Sequence, residues 1–87
     1  MTFDIGYSNQ AVRFLRKADK LLAARILDKI ETLADEPVSH DTKKIHGSKA
    51  LFRVRVGDFR ILYEISYEEN RIGIVKIDKR DAVYERR

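Results

Sequence analysis

The chain has no cysteine, no tryptophan, one proline and four glycines in 87 residues. Without cysteine there is no disulfide framework, no thiolate zinc site and no thiol nucleophile. A reducing, cytoplasmic compartment fits that absence. Long apolar runs are missing as well: none approaches the roughly 20 residues that a membrane-spanning helix needs. The opening MTFDIGYS lacks the basic region and apolar stretch of a signal peptide. No membrane partner is expected. What the sequence does have is charge, with 18 Lys and Arg against 14 Asp and Glu for a net +4, beside 44% hydrophobic residues. That is enough apolar material for a small core in a single domain spanning residues 1–87.

The distribution of charge is more informative than its total. Residues 43–87 hold 12 of the 18 basic residues and 7 of the 14 acidic ones, a balance of +5, so residues 1–42, with 6 and 7, stand at −1. The positive excess falls where the sequence reads as strands, which suits a nucleic-acid surface or an acidic protein partner.

Phe3, Ile5 and Tyr7 alternate with polar or small residues and predict a short strand. Ser8 is a good N-cap for a helix over residues 9–17, with an apolar stripe of Ala11, Val12, Leu15 and Phe14. Asp19 caps a second helix reaching Asp35, whose stripe is Leu22, Ile26, Ile30 and Leu33, with Leu27 and Ala34 alongside. Arg25, Asp28, Lys29, Glu31 and Asp35 read as its solvated face. Pro37 ends it, because the residue before proline is pushed out of the helical region. Residues 37–49 form the one long polar connection, with Lys43, Lys44 and Lys49 in it.

The stretch LFRVRVGDFRILYEI, residues 51–65, alternates on both sides of Gly57-Asp58 and predicts a tight hairpin. Val56 then faces Phe59, Val54 faces Ile61 and Phe52 faces Tyr63 on the core side. Arg55 faces Arg60, and Arg53 faces Leu62, on the other side. Like charges directly across a ladder are unfavourable by up to about 1 kcal/mol, so three guanidiniums on one face point to an anion that meets them there. Arg53 has an alternative partner in Glu64, diagonally across. A last strand, Ile72 to Ile77, is expected to turn Val75 and Ile77 inward and Lys76 outward. The order strand, two helices, three antiparallel strands predicts an α+β fold, an α-helical hairpin packed on one face of a three-stranded antiparallel meander with the N-terminal strand. The arginine face stays open.

Three stretches carry a resemblance: Lys43-Lys44-Ile45-His46-Gly47, then Phe52 to Ile65, and Asp78-Lys79-Arg80-Asp81-Ala82-Val83-Tyr84. Together with the order of elements they resemble the RelE/ParE superfamily of toxins from type II toxin–antitoxin pairs. The wording RVGDFRILYEI looks like the RelE branch, the mRNA interferases, more than the gyrase-poisoning ParE branch. The resemblance implies a RelE-like fold and a ribosome-dependent endoribonuclease that cuts mRNA in the A site without metal or cofactor. It also implies neutralisation by a cognate RelB-type antitoxin, with operator DNA met only through that complex. By position it implies catalytic roles for Arg53, Arg55, Arg60, Arg80 and Tyr84. The model members carry lysines where this chain has Arg53 and Arg55, and the chain stops soon after Tyr84. Lys43, Lys44, Lys49, Lys76 and Lys79 are expected to meet RNA or the ribosome by charge. A ParE-like inhibitor, or a catalytically weakened member kept for antitoxin and operator binding, are the competing readings.

Guanidiniums fork onto phosphate oxygens and keep their charge, so they suit the anionic transition state of 2′-hydroxyl attack. They are poor proton carriers. Arg55 and Arg60 are therefore assigned to the phosphate and Arg80 to charge near the leaving oxygen. Tyr84 is assigned to stacking, proton movement or closing the sheet edge. His40 and His46 would act as an acid–base pair only if they converge. With Asp41 they match no recognised metal-ligand spacing, so no metal is expected.

Overall fold

A computed structural model describes residues 2–45 and 50–79. The elements run β1 (Asp4–Tyr7), α1 (Asn9–Lys17), α2 (Lys20–Asp35), β2 (Thr42–Lys44), β3 (Leu51–Val56), β4 (Phe59–Ser66) and β5 (Arg71–Lys79). The helices start where short polar side chains can cap them. Ser8 Oγ accepts from the Ala11 N–H at 3.1 Å, and Asp19 Oδ1 accepts from the Leu22 N–H at 2.8 Å. Each such cap is worth about 1 kcal/mol. Helix α2 ends at Asp35, two residues before Pro37.

Among the described residues the strands form one sheet in the order β1-β5-β4-β3-β2, antiparallel except for the parallel pair β1–β5. The expected α+β class, with two helices against a sheet, is what is found. The three-stranded meander, however, is the centre of a five-stranded sheet. The core is built from Ala11 of α1 and Ile26, Ile30 and Leu33 of α2. These meet Val54, Val56, Ile61, Tyr63, Ile65, Ile72, Ile74 and Ile77 from the sheet. Leu27, expected beside the stripe, is 41% exposed, because one residue beyond Ile26 is about 100° further round the helix. No helix among the described residues is long and apolar enough to cross a membrane.

The hairpin register is the expected one at every rung, from Phe52↔Tyr63 to Val56↔Phe59. Gly57 has φ +60°, whereas Asp58 is not in the positive-φ region. That is the pattern of a turn needing glycine at its first central position.

Two expectations need correction. The polar connection contains a strand: Thr42, Lys43 and Lys44 pair with Val54, Arg53 and Phe52. Three residues are too few for a period to show, and tertiary bonds hold the segment. Lys29 Nζ donates to Asp41 Oδ2 at 2.6 Å, and the Tyr63 hydroxyl donates to the Pro37 carbonyl at 2.6 Å. Val75, expected inward, faces outward and is 38% exposed. Leu62 pairs with Lys76 and Tyr63 with Ile74, so Val75 is the extra residue of a β-bulge. The bulge lets Ile74 and Ile77, three apart, both reach the core.

Candidate nucleic-acid interface

Side chains of directly paired residues project from the same face of a sheet. One row on the face away from the core therefore reads Lys43–Arg53–Leu62–Lys76 and the next reads Arg55–Arg60–Asp78. Arg53, Arg55 and Arg60 share one face, as the alternation predicts, and Lys43 and Lys76 join them. Arg55 is exposed, Arg53 half-buried and the Arg60 side chain only 12% exposed. Lys44 pairs with Phe52 and Lys79 with Phe59, which places both on the core-side face of the ladder. Lys49, His46, Arg80 and Tyr84 lie outside the described residues.

Beside the two β3 arginines a cleft of about 330 Å³ is lined by His40, Asp41, Lys43, Arg53 and Arg55. On the other side of Arg55 a shallower groove of about 430 Å³ runs to α2, lined by Arg25, Asp28, Lys29, Thr32 and Gly57. The Arg25 guanidinium lies over the hairpin turn, where its Nη2 would stand 3.2 Å from a β-carbon placed on Gly57. The supposed solvated face of α2 thus contributes two cations, one laid on the turn and one, Lys29, bonded to Asp41. Arg55 stands between the two depressions. Together they suit an extended polyanion better than a small ligand.

Sequence reasoning missed the acid in this face. Asp78 pairs with Arg60 across the β4–β5 ladder. Its Oδ1 lies 3.7 Å from Arg60 Nε, and its Oδ2 lies 3.7 Å from Lys76 Nζ. At that distance there is attraction without a hydrogen bond. Arg60 Nε and Asp78 Oδ1 are both buried with no hydrogen-bond partner, a situation costing about 1–3 kcal/mol per group. The side was legible, since Asp78 follows the outward Lys76 by two residues; the rung that sets it across from Arg60 depends on the bulge. Arg53 makes no ion pair with Glu64 among the described residues.

The bulged part of β5 is held by α1. Ser8 Oγ donates to the Val75 carbonyl at 2.8 Å. Gln10 Nε2 donates to the Ile77 carbonyl at 2.8 Å, and Gln10 Oε1 accepts from the Ile77 N–H at 2.9 Å. Strand β1 pairs with β5 only as far as Ile74, so these side chains continue the ladder where the strand stops. They fix the segment that carries Lys76 and Asp78.

A family model described as the ParE toxin of the type II toxin–antitoxin system parDE matches residues 5–84. The RelE chain of the RelE–RelB complex from Pyrococcus horikoshii superposes with a TM-score of 0.81 at 30% identity, over 92% of this chain and 97% of that one. The RelBE2 complex of Mycobacterium tuberculosis gives 0.79 at 24% identity, over 92% and 100%, a likeness of fold. A protein of Methanocaldococcus jannaschii named "Putative toxin RelE1" is 29% identical over 97% of both chains. A model matched across nearly the whole chain and a structural relative at this identity establish descent: the chain belongs to the RelE/ParE superfamily of toxins from type II toxin–antitoxin systems.

Proposed function

We propose that the chain is the toxin of a RelBE-type pair, an endoribonuclease that cuts mRNA in the ribosomal A site and is silenced by a RelB-type antitoxin. The observation that carries this reading is the Arg55–Arg60 pair on the open face, flanked by Arg53, Lys43 and Lys76 with clefts on both sides of Arg55. The ribosome presents the message as an exposed single strand whose phosphates this face would engage. Arg55 and Arg60 fork onto the non-bridging oxygens of the scissile phosphate as the 2′-oxygen attacks phosphorus and the 5′-oxygen departs. The 2′-hydroxyl proton leaves as that bond forms, and the departing 5′-oxygen takes one up. Guanidiniums handle the charge and handle protons poorly. Orientation by the ribosome therefore supplies a large part of the rate, and free RNA is cut slowly or not at all. Arg80 and Tyr84 complete the site in this reading, with Arg80 near the leaving oxygen and Tyr84 against a base. Lys43 and Lys76 on the arginine face, with Lys49, contribute charge toward RNA, whereas Lys44 and Lys79, on the other side of the ladder, add only long-range attraction. In this reading the antitoxin covers the same face with acidic and apolar side chains; that a RelE chain of similar fold is found in complex with RelB supports such a partner.

Primer extension on a translated message after induction tests the reading, with cuts expected at A-site codons. Arg60→Ala should lower cleavage by about 100-fold or more while the protein stays folded. Uncut messages would overturn the reading. A second reading, inhibition of a topoisomerase, is favoured by the ParE description of the matching family model. Supercoiling defects with intact messages would select it.

A further inference from the structure

Asp78 is a carboxylate in a place where a phosphate-binding face should have none. We infer that Asp78 is the positioning residue of Arg60: it holds the guanidinium from its Nε side, so that the outer nitrogens are presented to phosphate. The inference rests on the nuclease reading and assigns a role within the same site.

The geometry supports this orientation. Arg60 Nε is buried against Asp78 Oδ1, while the Arg60 outer nitrogens are not among the buried, unpartnered atoms and make no hydrogen bond to a described residue. The guanidinium is thus drawn to Asp78 at its root by charge, at 3.7 Å and without a hydrogen bond, and no described residue bonds its fork. Asp78 is itself fixed. Its other oxygen faces Lys76, and its strand is tied to α1 one residue earlier through both ends of the Gln10 amide. Asp78 also sits at the meeting point of three cations, since Arg55 lies directly across from Arg60 and Lys76 lies on the same outward side. In the empty site it offsets their mutual repulsion. With RNA present its charge opposes the incoming phosphate, so it costs affinity while aligning the group that stabilises the transition state. Binding energy is then directed to the step in which charge develops.

This makes a prediction of opposite signs. In Asp78→Asn, binding of a fully 2′-O-methylated RNA hexamer, which cannot be cut, should tighten about threefold at low salt, the scale for unit charges about 7 Å apart in a water-like dielectric. Single-turnover cleavage on programmed ribosomes at saturating protein should fall by about tenfold or more. Asp78→Glu keeps the charge but displaces it, so affinity should stay near the parent while cleavage falls. Changes of the same sign in affinity and rate for Asp78→Asn would overturn the inference, as would full cleavage by Asp78→Glu. Should the parent protein leave messages uncut, the nuclease reading fails and the hexamer still decides. Arg60→Ala must then weaken binding less in the Asp78→Asn background than in the parent, because a disoriented Arg60 has less to lose. Equal losses in both backgrounds overturn it.

Discussion

Gln10 pairs with Ile77 as a strand residue would, giving an N–H to its carbonyl and taking one from its amide at 2.8 and 2.9 Å. A helix side chain thereby supplies the rung of the sheet that β1 is too short to make. Removing it leaves both backbone groups of Ile77 short of partners, and unmade buried bonds cost about 1–3 kcal/mol each. Gln10→Ala should therefore destabilise the fold by about 2 kcal/mol, lowering the melting midpoint by roughly 10 °C for a domain of this size. Gln10→Glu should do no better, because a carboxylate accepts from the N–H but faces the carbonyl oxygen with nothing to donate. Thermal melts of both variants check this. A glutamate variant as stable as the parent would show that the carbonyl finds another donor.

Arg55 and Arg60 face each other with no spacer. In the absence of an anion that juxtaposition is unfavourable, and Arg55 is the exposed member while Arg60 has Asp78 beside it. Arg55→Gln should leave the free protein as stable as before or more so, by up to about 1 kcal/mol. RNA affinity should fall, and the slope of log K against log salt should shrink by about one ion. The pairing of a stability gain with a binding loss is the signature to measure, by urea unfolding and by salt titration of binding. A loss of stability would mean that Arg55 has a structural partner.

The hairpin was legible because both strands keep a strict two-residue period and the turn dipeptide fits only one register. Ser8, Asp19 and Pro37 marked the helix ends for reasons that act within four residues of sequence. What the sequence hid acts across the chain. Strand β2 depends on Lys29 reaching Asp41 and Tyr63 reaching Pro37, contacts 12 and 26 residues apart. The bulge at Val75 depends on Ser8 and Gln10, whose bonds to β5 span 67 residues. That single extra residue changes which side of the sheet Val75 takes. It also sets where Asp78 lands, so the acid beside Arg60 could not be placed from periodicity alone. The arginine face itself was readable since its members lie on the regular side of the sheet.

The Lys29–Asp41 contact predicts a small acid dependence. The hydrogen bond from Lys29, followed by that from Ser39, holds the Asp41 carboxyl down at about 2. A carboxyl depressed in the folded state stabilises above its unfolded value near 4 and loses that contribution as pH falls through about 2. Both partners are partly open to solvent, so screening keeps the contribution to a few tenths of a kcal/mol. Asp41→Asn should be slightly less stable than the parent at pH 6, and the difference should vanish by about pH 2 in urea titrations. A gap that persists in acid would assign the effect to the Ser39 turn instead.

Tyr63 predicts the alkaline limit. Its ring is fully buried, stacked beside Phe52 at 5.8 Å between centroids, with the hydroxyl on the Pro37 carbonyl. Burial is the largest cause that pushes its pKa up to about 12. The unfolded chain ionises this phenol near 10. The neutral hydroxyl therefore stabilises the fold fully below pH 10 and stops doing so as pH climbs through about 12. Stability should be flat in this respect across neutral pH and fall steeply between those values. Tyr63→Phe removes the ionisable group together with its bond to Pro37. It should cost about 1 kcal/mol at pH 7, yet show a shallower loss between pH 10 and 12 than the parent. The two denaturation curves should therefore converge in alkali, and parallel curves would mean that another buried group sets the limit.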